Sequence, residues 1–377
     1  MADLINYLTK IQFGDHAIDE LANELNQLGI TTPLFITDKG LSATPVLESV
    51  VNAAQLSATA IIFNETPANP TEEAVDRALN HLKLQGCDGI VAVGGGSSID
   101  LAKAVALMAT HPAPLRQYAV IDGGSARIGE AVLPLIAVPT TAGTGSEVGR
   151  ASLITMQDSR KLGFLSPHLI PTVAICDPVL TLGLPTYLTA ATGMDAIAHC
   201  IETYLSPKVN PPAEAIAMDG LRRASRHLFD AVENGQNLEA RREMMMAALE
   251  GAMAFQKGLG AVHSLSHALG GLHELGLHHG TLNALLMPTV LRFNESHCEK
   301  KYENIKEAMG LTPEVDLAAE FDRINIKLGM PRRLGELGVT ESMFDQAAQW
   351  AYEDHSTATN PRPATKQDFF DMLMEVL

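Results

Sequence analysis

The chain has 377 residues, enough for two domains with separate hydrophobic cores, and carries 27 basic against 44 acidic residues, a formal net charge of −17. This acidic balance argues against a nucleic-acid-binding protein, and the absence of a long apolar run argues against a membrane span. The N-terminal segment does not resemble a secretory signal and the four cysteines form no CxxC pair, so we expect free thiols in a cytoplasmic protein.

The first half of the chain alternates short apolar segments with helical patterns. After an N-terminal arm or strand and a helix at 18–28, strands are predicted at 33–37, 58–63, 89–93 and 133–138. Helical patterns lie between them, for example at 71–84, where Thr71 is the predicted N-cap. This alternation predicts an α/β domain whose parallel sheet is covered by helices on both faces.

The second half of the chain has a different pattern. From about residue 185 the strand signal disappears and helices are predicted at 189–205, 212–229, 238–256 and 260–272, with more to the end. We therefore expect an α/β domain at 1–182 and an all-α domain at 183–377.

Two turns at strand ends are candidate nucleotide-binding elements. The predicted strand 89–93 runs into Gly94, Gly95, Gly96 and Ser97 at the start of a helix, where free backbone amides can bind a phosphate. An ordinary tight turn is the alternative. The second turn, 139–147, follows the next strand and offers side-chain hydroxyls from Thr140, Thr141, Thr144 and Ser146.

Two further residues are candidates for the same pocket. Asp38 follows the predicted strand 33–37, and a carboxylate there can accept hydrogen bonds from the ribose hydroxyls of NAD and repel the 2′-phosphate of NADP. A solvated loop acid is the alternative. Asn69 precedes the helix at 71–84 and is a weaker candidate.

A carboxylate and several histidines form a candidate metal site. Asp195 and His199 are four residues apart, so a helix places them on one face as half of a divalent-metal site. The other half is expected among His263, His267, His273, His278 and His279. Isolated histidines such as His355 are interpreted as ordinary polar residues.

Together these stretches resemble the iron-containing (group III) alcohol dehydrogenase family over nearly the whole chain. The matching segments are 94–100, 139–147, 193–200, 260–267 and 279–283. The resemblance implies a Rossmann-like domain followed by a helical domain, as in dehydroquinate synthase, with the site in the cleft, and a homodimer. It implies NAD and a divalent metal, Fe²⁺ or Zn²⁺, as cofactors. The implied metal ligands are Asp195, His199, His263 and His279, with His267 in proton transfer, and the predicted cofactor contacts are Asp38, Asn69, Gly94, Gly95, Gly96, Ser97, Asp100, Thr140, Thr141, Thr144, Ser146 and Leu182.

Within this family, segments 123–127, 254–260 and 276–280 resemble those of bacterial 4-hydroxybutyrate dehydrogenases. Lys257 stands where a small polar residue is commoner, so we expect Lys257 and Arg150 to bind a substrate carboxylate, with surface salt bridges as the alternative. The resemblance thus implies that 4-hydroxybutyrate and succinate semialdehyde are interconverted. Plain short-chain alcohols or diols are the alternative substrates.

Other classes of protein fit the same residues less well. A zinc protease is disfavoured because Ser264 replaces the glutamate that would act as the base between His263 and His267. A metal-free reductase is disfavoured because it would not need the Asp/His set. A non-catalytic nucleotide-binding module is disfavoured because it would not need the histidine cluster. An NAD- and metal-dependent lyase of the dehydroquinate-synthase type stays open, although it requires more basic residues than Lys257, Arg150 and Lys161.

Overall fold

The computed structural model describes residues 9–377, and the part of the predicted N-terminal arm or strand that falls on residues 1–8 lies outside them. The described residues form two compact units. The α/β unit comprises 9–141 and 145–183, and the helical unit comprises 142–144 and 184–377.

A parallel sheet forms the centre of the α/β unit. Six strands join it in the order β1-β8-β5-β4-β2-β3, and every neighbouring pair is parallel. Strands β6 and β7 form a separate antiparallel hairpin. The strands are β1 (Lys10–Phe13), β2 (Pro33–Ile36), β3 (Ile61–Phe63), β4 (Gly89–Gly94), β5 (Leu135–Pro139), β6 (Ala151–Thr155), β7 (Lys161–Leu165) and β8 (Val173–Cys176).

Helices cover both faces of this sheet, because successive strand residues point to opposite sides. Leu34 and Ile36 pack on the side that holds α4 and α5, whereas Phe35 packs on the side that holds α1 and α3. The helices of this unit are α1 (Leu21–Leu28), α2 (Lys39–Ser42), α3 (Pro45–Ala53), α4 (Glu72–Gln85) and α5 (Gly96–Met108).

The order of strands in the sheet reverses between β2 and β4. From β2 the chain adds β3 on one side, then returns to β4 on the other side and continues to β5 and β8. In open parallel sheets, ligands bind outside the carboxyl ends of the two strands that flank such a reversal. Asp38 follows β2 and the Gly94–Gly96 turn ends β4, so both predicted elements lie at this point.

Helix α6 is the buried centre of the helical unit. Every residue from Thr189 to Leu205 is buried, and α7, α8 and α10 pack around it. The helices are α6 (Thr186–Leu205), α7 (Pro211–Glu233), α8 (Leu238–Met253), α9 (Ala261–Gly270), α10 (His279–Ala308), α11 (Leu317–Lys327), α12 (Phe344–Glu353) and α13 (Lys366–Glu375).

The predicted fold class is confirmed: an α/β unit with a parallel sheet and a helical unit. The predicted N-cap is also found, since the Thr71 hydroxyl accepts a hydrogen bond from the Ala74 amide at 3.2 Å. The sequence patterns missed β6, β7 and β8, which are short strands within a segment rich in turns. Within residues 9–377 no helix combines the length and the apolar character that a membrane crossing requires.

Candidate metal centre and nucleotide turn

Four side chains of the helical unit converge on one point. Asp195 and His199 come from one face of α6, His263 from α9 and His279 from the first turn of α10. The Nε2 atoms of His199, His263 and His279 lie 3.5, 3.7 and 3.7 Å from Asp195 Oδ1. In a tetrahedral site with bonds of about 2.1 Å, ligand atoms are roughly 3.4 Å apart, so these separations match a small divalent cation.

Close packing of two helices brings His279 to this cluster. A Cβ atom at Gly280 would lie 2.3 Å from the carbonyl oxygen of Ala191 on α6. Only glycine therefore allows the start of α10 to approach α6 so closely.

The amide group of Asn283 lies among the ligand atoms. Its Nδ2 is 2.6 Å from Asp195 Oδ1 and 3.2 Å from the Nε2 atoms of both His263 and His279. An amide has two hydrogens and three ligand atoms surround its nitrogen, so it cannot donate to all three at once. A donor set with excess lone pairs and one carboxylate fits a divalent cation.

The charges in this cluster depend strongly on one another. Burial alone raises the pKa of Asp195, but the neighbouring histidines His199 and His279 hold it well below its usual range. Burial lowers the pKa of His199 to about 3, so this ring is neutral at pH 7. Burial also lowers the pKa of His263, but Asp195 and Glu202 outweigh it and raise that pKa to about 9. A bound cation would therefore displace a proton from His263.

The tautomer of His199 is fixed by the backbone. Its Nδ1 lies 3.3 Å from the carbonyl oxygen of Gly143. A carbonyl oxygen only accepts hydrogen bonds, so Nδ1 is the donor and Nε2 keeps its lone pair facing Asp195.

A second group of ionisable side chains borders the cluster. His267 Nδ1 lies 3.1 Å from Asp354 Oδ2, and His355 Nδ1 lies 3.5 Å from the same oxygen. The His267 ring is stacked on the His279 ring, with centroids 5.4 Å apart. Burial lowers the pKa of His267 to about 4, so the ring is neutral at pH 7 and can accept a proton.

The glycine turn of the α/β unit has the shape of a phosphate-binding element. Gly94 has a φ of +145°, and Gly95 is the N-cap of the 13-residue helix α5. The amides of the first turn of α5 are thus directed out of the helix end. Asp38 Oδ2 lies 3.8 Å from the position of a Cβ at Gly94, so the carboxylate borders the turn, while its Oδ1 caps α2 through the Leu41 amide.

The remaining predicted cofactor contacts have varied surroundings. Asn69 Oδ1 accepts a hydrogen bond from Lys161 at 3.1 Å, and the Ser97 hydroxyl donates to the Ala68 carbonyl. Thr140 is buried, whereas Thr141 and Leu182 are half-buried. Thr144 is half-buried and belongs to the segment 142–144 of the helical unit.

Asp100 and Ser146 belong to a hydrogen-bond network that supports the second turn. The Ser146 hydroxyl donates to Asp100 Oδ1 at 2.6 Å, and the Leu153 amide donates to Asp100 Oδ2 at 3.0 Å. The fully buried Lys103 donates to the Ser146 hydroxyl and to the carbonyls of Gly149 and Ala151, each at 2.8 Å. These bonds give Asp100 and Ser146 a structural role, and their predicted cofactor contacts stay predictions.

The contacts of Lys257 differ from the predicted contact with a substrate carboxylate. Its ammonium group is fully buried and donates to the carbonyls of Thr203 and Tyr204 at 3.2 and 3.1 Å, and to that of Ser206. Glu214 Oε1 lies 3.0 Å from it. Lys257 thus binds the carbonyl groups at the C-terminal end of α6, a favourable place for a cation, and has no donor left for a substrate carboxylate.

Arg150 is half-buried between the second turn and β6. Burial lowers the pKa of its guanidinium. Its predicted contact with a substrate carboxylate stays a prediction.

The chain matches the family models for iron-containing alcohol dehydrogenase at residues 9–178 and for the C-terminal part of the Fe-containing alcohol dehydrogenase family at residues 189–377. It belongs to the iron-containing alcohol dehydrogenase family. A 4-hydroxybutyrate dehydrogenase from Cupriavidus necator is 53% identical over 376 residues, which cover 98% of each chain. A 1,3-propanediol oxidoreductase structure has a TM-score of 0.90 at 35% identity and covers both chains fully. A sulfoacetaldehyde reductase from Bifidobacterium kashiwanohense in complex with NAD⁺ has a TM-score of 0.87 at 26% identity, covering 100% of this chain and 99% of the other.

Membership of this family confirms the predicted enzyme class, an alcohol dehydrogenase, and leaves the dehydroquinate-synthase-type lyase without support. Three polar residues that contact the Asp/His cluster or His267 were missed by sequence reasoning: Glu202, Asn283 and Asp354. Asn283 follows His279 by four residues on the same helix face, which is the same signal that paired Asp195 with His199. No spacing could pair Asp354 with His267, since 87 residues separate them.

We expect Lys257→Met to lower the free energy of unfolding by about 2 kcal/mol, because the Thr203 carbonyl and Glu214 lose their buried cation, although Lys301 still donates to the Tyr204 and Ser206 carbonyls. Urea unfolding measures this change. The exposed neighbour Lys300, changed to methionine, should cost much less. Equal stability of the Lys257 variant and the parent would contradict the helix-end role.

Glu147 should make stability depend on pH. Burial raises the pKa of its carboxyl from 4.5 to about 7 in the folded chain. The folded state therefore binds more protons than the unfolded state between these values, and its stability falls as the pH rises through that window. The glutamine in Glu147→Gln does not titrate, so the variant does not lose this stability. Its stability relative to the parent, measured by thermal unfolding, should therefore increase from about pH 4.5 to 7.

The exposed Glu130, changed to glutamine, provides the control for the Glu147 experiment. Parallel pH profiles for the parent and Glu147→Gln would show that Glu147 does not titrate as described.

Proposed function

We propose that this alcohol dehydrogenase uses NAD and a divalent metal to interconvert 4-hydroxybutyrate and its aldehyde, succinate semialdehyde. The observation that carries the proposal is the convergence of Asp195, His199, His263 and His279 within 4.8 Å of one another. The substrate is inferred from the 53% identity with the Cupriavidus necator enzyme. Short-chain alcohols or diols are the second candidates, because a 1,3-propanediol oxidoreductase has the same fold.

The four ligands would hold Fe²⁺ or Zn²⁺, since imidazole and carboxylate suit both ions. The chemistry that such a cation supplies is Lewis acidity, which lowers the pKa of an alcohol and polarises a carbonyl. The hydride chemistry belongs to the nicotinamide. We propose residues 1–182 as the nucleotide-binding domain and residues 183–377 as the metal-binding domain.

The protein's own groups would orient the reactants and move a proton. His267 is neutral and borders the metal ligands, so it would accept the alcohol proton through Nε2. Asp354 accepts a hydrogen bond from His267 Nδ1, which directs Nε2 away from the carboxylate and would stabilise the protonated ring. Arg150 stays the proposed contact for the substrate carboxylate, because the Lys257 ammonium is already bonded to the α6 carbonyls and Glu214.

The glycine turn would bind the dinucleotide. In this proposal the amides beyond Gly95 and Gly96 bind the pyrophosphate, and Asp38 accepts hydrogen bonds from the ribose hydroxyls, which favours NAD over NADP. Asn69, Ser97, Thr140, Thr141 and Leu182 are the further proposed cofactor contacts of the α/β unit, and the contact predicted for Thr144 stays a prediction.

We also propose that the enzyme is a homodimer in the cytoplasm. The dimer rests on resemblance to the family alone. The compartment is supported by the four free cysteines, which are typical of a reducing environment.

We expect His263→Ala to lose metal content and NADH formation together, because one of four ligands disappears. Metal analysis of the purified variant and NADH absorbance with an alcohol substrate measure the two losses. The exposed His297, changed to alanine, should keep both. An active, metal-loaded His263→Ala enzyme would remove His263 from the ligand set.

We expect kcat/KM for 4-hydroxybutyrate to exceed that for 1-butanol roughly 10- to 100-fold, since a charge-assisted hydrogen bond to the carboxylate contributes about 1.5–3 kcal/mol. 1,4-Butanediol has the same chain length without the charge and provides the matched control. Lys257→Met should keep the ratio, whereas Arg150→Met should reduce it. Equal efficiency with all three alcohols would remove the proposed carboxylate specificity.

A further inference from the structure

A third acidic or basic side chain shares the ligand face of α6. Asp195, His199 and Glu202 follow one another at spacings of four and three residues, so they form one stripe along the helix. Glu202 is 4% exposed. A carboxylate buried this deeply requires strong hydrogen-bond partners.

The partners of Glu202 are all at the start of α9. Its Oε1 accepts from the Val262 amide at 2.7 Å, and its Oε2 accepts from the amides of Gly260 and His263 at 3.0 and 3.3 Å. Amides in the first turn of a helix have no carbonyl partner within that helix, and the helix dipole favours a negative charge there. One side chain of α6 thus fixes where α9 begins.

Glu202 also binds the ring of a metal ligand. The fourth contact joins Oε2 to His263 Nδ1 at 2.7 Å. The carboxylate accepts this hydrogen bond, so Nδ1 keeps its proton and Nε2 is the ring atom that faces Asp195 and would give up its proton to a bound cation.

A glycine is required for this approach. A Cβ at Gly260 would lie 2.8 Å from Glu202 Oε1 and 2.8 Å from Asn360 Oδ1. Any other residue at 260 therefore displaces both the carboxylate and the amide.

We propose that Glu202 is a positioning residue of the metal centre, which sets both the start of α9 and the ring orientation of His263. The inference rests on the proposed metal site. A helix cap alone would change the stability of the fold, whereas a positioning residue also changes the affinity for the ion. Loss of a carboxylate that orients a ligating histidine typically costs 10- to 100-fold in metal affinity.

The test compares Co²⁺ binding and metal-free stability in the full-length protein. Co²⁺ affinity is measured by chelator competition, with the visible absorption of the bound ion as the signal. We expect Glu202→Gln to weaken Co²⁺ binding 10- to 100-fold. Asp316→Ala removes a cap of another helix, α11, where Asp316 accepts from the Ala319 amide, and should lower the unfolding midpoint while keeping parental Co²⁺ affinity.

Gly260→Ala is the second variant, and it tests the positioning role of Glu202 if Glu202→Gln does not fold. It keeps the carboxylate but displaces it, so we expect at least a tenfold loss of Co²⁺ affinity. Affinity within twofold of the parent in either folded variant would overturn the positioning role. A parent that binds no Co²⁺ would instead sink the proposed function and this inference with it.

Discussion

The burial of one negative charge governs the architecture of the helical unit. The Asp195 carboxylate is 1% exposed and lies in the middle of α6, where an isolated charge would be far too costly. Three imidazoles and the Asn283 amide converge on it from α6, α9 and α10. The close approach of α10 to α6 at Gly280 brings the His279 ring to that charge.

Carboxylates orient the histidines around this centre in a repeated arrangement. Glu202 accepts from His263 Nδ1 and Asp354 accepts from His267 Nδ1, so each pair leaves Nε2 directed elsewhere. The backbone carbonyl of Gly143 does the same for His199. The rings of His199, His263 and His267 thus each have a second contact that fixes their orientation.

Local spacing predicted the parts of this enzyme that lie close together in sequence. The four-residue interval from Asp195 to His199 indicated a shared helix face, and the strand-to-glycine transition at Gly94 indicated a turn at a sheet edge. His263 and His279 were chosen from a crowded histidine segment by family resemblance, since spacing alone left several partners open. Lys257 was misread because a lysine looks the same in sequence whether it faces solvent or closes a buried helix end.

The ligands of the helical unit are far apart along the chain. Asp195 and His279 are separated by 84 positions (279 − 195), and His263 lies on a third helix between them. An ion held by all of them would act as a removable cross-link that the unfolded chain cannot offer, so folding and ion uptake become one linked equilibrium. In a cell short of the ion, the supply of intact polypeptide would fall together with catalysis, since unfolded chains are cleared by proteases.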